Sequence, residues 1–172
     1  RMVGRLEGSI RTMANAIIDK VAERGTCDFV TDLSAELPLQ VIAELLGVPQ
    51  SDRHMLFDWT NRLIGFDDPE MQESEEDGKQ AAMEMYLYSN QLAQARINNP
   101  TDDLTSALMF GEVDGEKLTE MEFNLFFLLL AVAGNETTRN LISGGMLALI
   151  EHPDQRARLL ADPSLMPTAT DE

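Results

Sequence analysis

The chain has 172 residues, of which 13 are Lys or Arg and 30 are Asp or Glu, so its net charge at neutral pH is −17. Hydrophobic residues make up 44% and charged residues 25%, which is typical of a globular chain with a packed core and excludes a disordered acidic tail. The acidic balance, without any cluster of Lys and Arg, disfavours nucleic acid and anionic membrane surfaces as partners.

The first third of the chain contains two predicted helices. Apolar residues spaced by three and four positions predict a helix from Val3 to Val21, and Gly25 supplies its end. A short extended stretch from Cys27 to Val30 is predicted next. A second helix follows and ends at Gly47.

Two further helices flank an acidic segment. The first carries Trp59 between apolar residues four positions away on either side, and the second resumes after the segment. Seven of the eleven residues from Asp67 to Asp77 are acidic, which predicts a solvated loop over residues 67–78. A short helix capped by Asp102 or Asp103 is expected to come next.

A single long helix is predicted for the last third of the chain. Thr119 and Glu122 have the spacing of a capping box, and no strong helix breaker follows before His152. A helix over about 119–152 would be roughly 50 Å long at 1.5 Å per residue, which exceeds the diameter expected for a globule of this size. Ten apolar or small residues from Leu125 to Gly134 cover its whole circumference; they are too few to span a bilayer, but they require burial. The helix is therefore expected to cross a body larger than this chain.

Six polar residues, Asn135 to Asn140, directly follow the apolar run. Six consecutive helical positions go round the whole circumference, so some of these side chains face the interior, where an unpartnered polar group costs about 1 to 3 kcal/mol. One interpretation is a functional site. The other is structural: the helix ends at Gly134 and a second helix begins at Asn135, which gives a kinked core helix without chemistry.

Three residues in and before this polar stretch share one helical face. Leu129, Ala133 and Thr137 lie four positions apart, so a small side chain stands beside a hydroxyl and the pattern predicts a notch. The Thr137 hydroxyl is expected to bond the carbonyl of Ala133. Glu136 places a carboxylate one step round the helix.

The segment from Ala133 to Thr138, Ala-Gly-Asn-Glu-Thr-Thr, resembles the oxygen-activation motif in the central helix of cytochromes P-450, the haem-thiolate monooxygenases. Three other segments look like those of bacterial members, and they occur in the same order along the chain. They are residues 27–49, which resemble the region between the D and E helices, residues 114–119 before the central helix, and residues 152–163 after it.

This resemblance implies a mainly α fold: residues 1–172 would be an incomplete P-450 domain, from about the D helix to the start of the K helix. Residues 67–78 would be the loop between two lid helices. The implied cofactor is haem b, whose iron is ligated by a Cys outside this chain, so the chain alone would contain no metal ligand and would be inactive. Glu172 would begin the structural Glu-x-x-Arg pair of the family.

The resemblance also gives each residue of the notch a role in inserting one oxygen atom of O₂ into a C–H bond. Thr137 would position the oxygen by a hydrogen bond, and Glu136 would help to relay protons to it. The other implied site residues form the pocket wall: Ala133 and Gly134 next to the haem, where Gly134 leaves room for O₂, and Leu129 and Val132 next to the substrate.

The partners that the resemblance implies are an electron donor of the ferredoxin and ferredoxin reductase type, O₂, and a small apolar substrate such as a steroid, terpenoid or fatty lipid. A cytoplasmic protein without a membrane span is expected. Cys27, the only cysteine, is predicted to be a small buried residue and not the iron ligand. The alternative function, which goes with the kinked helix, is a non-enzymatic all-α module for ligand binding or dimerisation.

Overall fold

The computed structural model describes residues 2–65, 74–112 and 114–171. The regular elements in these ranges are helical, which confirms the predicted mainly α fold. The α-helices of the described ranges are α1 (Met2–Ala22), α2 (Glu36–Leu46), α3 (Arg53–Ile64), α4 (Glu75–Asn98), α5 (Leu104–Phe110), α6 (Glu120–Glu151), α7 (Pro153–Ala161) and α8 (Met166–Asp171). None of them is both long and apolar enough to cross a bilayer.

The long helix α6 forms as predicted. The Oγ1 of Thr119 accepts a hydrogen bond from the Glu122 amide at 3.3 Å, and Oε2 of Glu122 accepts one from the Thr119 amide at 2.8 Å, so the capping box is confirmed. The helix then runs for 32 residues, about 48 Å at 1.5 Å per residue, without a break at Gly134. The alternative of two helices that meet in a kink is therefore wrong.

The prediction of an extended stretch from Cys27 to Val30 is wrong at its end. A π-helical turn occupies Val30–Ser34. Oδ1 of Asp28 accepts hydrogen bonds from the amides of Val30 and Thr31, both at 2.9 Å, and these bonds fix the first turn. The β-branched residues favour a strand locally, but the Asp28 side chain satisfies the free amides of a helical start and decides the outcome.

Cys27 is exposed, so the prediction that it is buried is wrong. It lies between α1 and the π-helical turn, in residues 26–28, which have no regular structure. A loop position on the surface does not use the small apolar side chain for packing.

The predicted acidic loop is too long at its C-terminal end. Residues 75–78 belong to α4, because Ser74 caps the helix by accepting a hydrogen bond from the Asp77 amide at 3.1 Å. The three acidic residues of the first turn face the positive end of the helix dipole, which favours them there. Residues 67–73 of the predicted loop lie outside the described residues. Asp77, in the first turn of α4, also pairs with Arg62 of α3 at 2.8 Å.

Helix α6 packs with one face against α2, α3 and α4. Phe123, Phe127 and Ala131 lie on this face, are at most 2% exposed, and join the core that is built mainly by those three helices. The rings of the two phenylalanines are 6.2 Å apart, which suits a tilted aromatic pair. The buried face fixes the orientation of α6 and so determines which residues its opposite face presents.

Candidate functional site

The opposite face of α6 is apolar and exposed. Leu125 is 50% exposed and Leu129 62%, and Ala133 and Thr137 continue the same line at spacings of four residues. The structure therefore brings the predicted notch residues Leu129, Ala133 and Thr137 together on one open surface. Val132 is half-buried, about 100° round the helix from Ala133. Glu172 lies outside the described residues.

The Thr137 hydroxyl makes the predicted bond to the helix backbone. Its Oγ1 donates to the carbonyl oxygen of Ala133 at 2.5 Å. A hydroxyl carries one proton and two lone pairs, so this bond uses the proton and leaves the oxygen as an acceptor on the open face. Rotation about the C–O bond would turn the same proton towards a ligand on that face.

The carboxylate of Glu136 is held by two side chains of the next turn. It forms an ion pair with the guanidinium of Arg139, and its Oε1 also accepts a hydrogen bond from Nδ2 of Asn140 at 3.1 Å. The other arm of Arg139 donates from Nη1 to Oδ1 of Asn61 in α3 at 3.4 Å. Glu136 therefore belongs to a polar cluster between α6 and α3.

Sequence reasoning did not single out Arg139 as a partner of Glu136. The available signal was the spacing, because side chains three and four positions apart meet on a helix surface. The contact with Asn61 has no comparable signal, since it joins two helices that are far apart in the sequence.

Gly134 faces the core and not the open surface. A Cβ atom at this position would lie 2.5 Å from Cδ1 and 3.1 Å from Cγ1 of Ile42 in α2. The absence of a side chain at Gly134 therefore lets α2 and α6 approach closely. A role of Gly134 towards the cofactor stays a prediction, whereas its packing role follows from these distances.

Gly134→Ala is expected to lower the free energy of unfolding by about 1 kcal/mol, since overpacking costs about 1 to 3 kcal/mol and the better helix propensity of Ala returns about 1 kcal/mol. Ile42→Val removes Cδ1, the closest atom. In denaturant unfolding, the double variant should therefore be more stable than the sum of the two single effects predicts. Simple additivity would contradict direct contact between the two positions.

Two apolar grooves flank the C-terminal half of α6. One, of about 420 Å³, lies between α1, the π-helical turn and α6, with Ile17, Phe29 and Ile142 in its wall. The other, of about 640 Å³, lies between α6, α7 and α8. Neither is lined by Leu129, Ala133 or Thr137, so the notch is a separate surface.

The described residues contain no group of three or more His, Cys, Asp or Glu side chains that could hold a metal ion. The notch itself offers a hydroxyl, a methyl group and apolar side chains. Its composition therefore suits an apolar ligand that has one hydrogen-bonding atom.

Comparisons with known proteins give a consistent result. The sequence model of the cytochrome P-450 family matches residues 9–162. The chain is 48% identical over 155 residues to the steroid C26-monooxygenase of Rhodococcus jostii, covering 90% of this chain and 32% of the relative. It is 40% identical to the methyl-branched lipid omega-hydroxylase of Mycobacterium tuberculosis, covering 100% of this chain and 41% of the relative.

Solved structures agree with the sequence comparisons. The fold matches a Mycobacterium marinum cytochrome P-450 in complex with pseudoionone with a TM-score of 0.88 at 38% identity, covering 94% of this chain and 40% of that one. It also matches a Bacillus megaterium cytochrome P-450 in complex with testosterone with a TM-score of 0.85 at 31% identity, covering 98% and 45%. The chain thus spans about a third to two fifths of the curated relatives that it matches. Since the family match extends over most of its length, the chain belongs to the cytochrome P-450 family.

Proposed function

We propose that the complete protein is a haem-dependent monooxygenase that inserts one oxygen atom of O₂ into a C–H bond of an apolar substrate, while two electrons from a redox partner and two protons reduce the other oxygen atom to water. The observation that carries this proposal is the open face of α6, where the Thr137 hydroxyl stands next to the small side chain of Ala133 on an otherwise apolar surface. The two curated relatives are named as a monooxygenase and a hydroxylase, which supports the same reaction class.

The open face of α6 fits a haem. A flat, largely apolar ring system needs a wall without charges, and the line of α6 that includes exposed Leu125 and Ala133 carries none. Ala133 is the residue that would lie against the ring, because its methyl group leaves the helix backbone accessible beside Thr137. Bound haem supplies the activation of O₂ and the oxidising power for the C–H bond.

The residues of this chain position the oxygen and the protons. The Thr137 hydroxyl could either accept or donate a hydrogen bond to a ligand on the open face, since rotation exchanges its bond to Ala133 for one to that ligand. Glu136 supplies a carboxylate one residue away that can exchange protons with solvent, because its side chain is 26% exposed. Positioned proton delivery of this kind contributes about 10² to 10⁴ in rate.

The proposed substrate is a lipid with a branched aliphatic end, such as a steroid side chain or a methyl-branched fatty chain. The names of the two curated relatives, which act on a steroid and on methyl-branched lipids, support this class. Leu129 and Val132 would contact such a chain. The electron donor is proposed to be of the ferredoxin and ferredoxin reductase type.

The full-length protein, reduced under carbon monoxide, is expected to show the red-shifted Soret band of a haem with a thiolate ligand. Cys27→Ser should leave this band unchanged, because Cys27 is exposed on a loop and is not proposed as the ligand. A full-length protein that binds no haem would contradict the proposal and favour a non-enzymatic helical module. Loss of the band in Cys27→Ser alone would show that Cys27 is the ligand.

A further inference from the structure

Arg139 lies one turn after Glu136 on α6 and contacts its carboxylate. The side chain of Arg139 is 13% exposed and that of Glu136 is 26% exposed, so the pair is shielded from most of the solvent. Asn140 and Arg139 both approach the same oxygen, Oε1. This arrangement fixes one carboxylate oxygen, Oε1, whereas Oε2 has no hydrogen-bond partner among the described residues.

The guanidinium of Arg139 also reaches the neighbouring helix. Its Nη1 donates to Oδ1 of Asn61 in α3 at 3.4 Å, and its buried Nε has no protein partner among the described residues. One turn earlier on α6, Nδ2 of Asn135 donates to Oγ1 of Thr60 at 3.4 Å. Polar side chains therefore join α6 to α3 at two successive turns, next to the notch.

Stability alone gives little reason for a charge at this place. An isolated pair at this helical spacing contributes only about 0.2 to 0.5 kcal/mol, and a partly buried guanidinium has a desolvation cost that an apolar side chain would avoid. Apolar residues could pack α3 against α6 without a charge. The arrangement is better explained by what Arg139 holds in place, which is the carboxylate of Glu136.

We propose that Arg139 is a positioning residue for Glu136 and that Asn61 links this position to helix α3. The inference rests on the proposed function, because it assigns the clamp to the proton relay of a monooxygenase. With Arg139 present, the carboxylate keeps one orientation while α3 stays packed on α6.

The test uses the full-length protein and compares Arg139→Gln, Arg139→Lys and Asn61→Ala with Glu136→Gln. We expect Arg139→Gln to lower product formation per electron about tenfold and to change the solvent isotope effect on turnover, because misplacing a reacting group can cost as much as 10²-fold. Arg139→Lys keeps the charge but loses the planar guanidinium, so it should show a smaller effect of the same kind. If Arg139→Gln is unstable, Arg139→Lys alone tests whether Arg139 positions the carboxylate. Asn61→Ala should show the smallest effect.

Arg62→Gln is the matched control. Like Arg139→Gln, this variant removes a partly buried guanidinium, but from α3 and not from α6. Arg62 pairs with Asp77 at 2.8 Å and with Glu84 at 2.9 Å, both in α4, and does not contact Glu136. We expect it to lower the melting temperature and to leave product formation per electron unchanged. The double variant Arg139→Gln with Glu136→Gln should be no worse than Glu136→Gln alone, since residues that act as a unit are not additive.

Two results would overturn the inference. Arg139→Gln and Arg139→Lys with wild-type product yield and isotope effect would show that Arg139 does not position the carboxylate, and so would a strictly additive double variant. In both cases the wild type still oxygenates its substrate, so these results would not contradict the proposed function. A wild type that oxygenates no substrate would overturn the inference and the proposed function together.

Discussion

Thr137→Ala in the full-length protein is expected to keep haem and substrate binding but to divert most electrons to hydrogen peroxide. The substitution removes the hydroxyl that stands beside Ala133 on the open face, and no other hydroxyl shares that line of side chains. Without a positioned hydrogen bond, reduced oxygen leaves before the C–H bond reacts, so product per electron should fall roughly tenfold or more. The measurement compares NAD(P)H consumed, peroxide formed and product formed.

Thr138→Ala is the matched control for this experiment. Thr138 is the next residue of α6, is half-buried and points away from the line of Leu129, Ala133 and Thr137. It should keep the wild-type product yield, and Thr137→Ser should restore much of the yield because it returns the hydroxyl. Equal peroxide release from the wild type and Thr137→Ala would contradict the role proposed for Thr137.

Asp103→Ala is expected to lower the free energy of unfolding by about 4 kcal/mol or more. The Asp103 side chain is 6% exposed and accepts hydrogen bonds from Arg96 at 2.5 Å, Thr101 at 2.5 Å and the Ser106 amide at 2.7 Å, the last of which caps α5. Its removal leaves a largely buried guanidinium without its carboxylate, which typically costs about 3 to 5 kcal/mol, and removes a cap that contributes about 1 kcal/mol. Denaturant unfolding of the full-length protein measures the loss.

Two comparison variants should destabilise the protein less than Asp103→Ala. Asp103→Asn keeps an acceptor for the Ser106 amide but loses the charge, so it should cost less than Asp103→Ala. Glu75→Ala removes an exposed acidic residue of the first turn of α4 whose partner is Lys79, and it should cause only a small loss of stability. A loss as small for Asp103→Ala as for Glu75→Ala would contradict the structural role of this cluster.

The contribution of Asp103 to stability should depend on pH. Burial alone would raise the pKa of Asp103, but the hydrogen bonds from Thr101, the Ser106 amide and Arg96 outweigh it and lower the pKa below the usual value of 3.8. A carboxyl with a lowered pKa in the folded state stabilises the protein above its unfolded pKa and loses that contribution as the pH falls through the folded value. The difference between the wild type and Asp103→Ala should therefore be constant near neutral pH and shrink below about pH 4.

Short-range sequence patterns were sufficient to predict most of the helices of this fold. The capping box at Thr119, the glycine after the second helix and the spacing of apolar residues each depend on neighbours within one or two turns, and all of them predicted the observed helices. The bond between Thr137 and Ala133 was predictable for the same reason, because it lies within one turn of α6.

The errors arise where one side chain outweighs the local pattern or where the contact is distant. Asp28 converts a β-branched stretch into a helical start, and Ser74 starts α4 inside an acidic run that looks solvated. The closeness of Ile42 to Gly134 and of Asn61 to Arg139 depends on how separate helices pack, which no short segment encodes. The candidate site was thus predictable along α6 but not across to α2 and α3.

The central claim is that the open face of α6 serves oxygen insertion, and heavy-isotope-labelled O₂ tests it most directly. The full-length protein would be supplied with an electron donor system and a panel of steroids and methyl-branched lipids, and the products analysed by mass spectrometry. The account predicts a hydroxylated product that carries one labelled oxygen atom per molecule, with a much lower yield in Thr137→Ala. A hydroxylated product whose oxygen comes from water, or an unchanged yield of labelled product in Thr137→Ala, would contradict it.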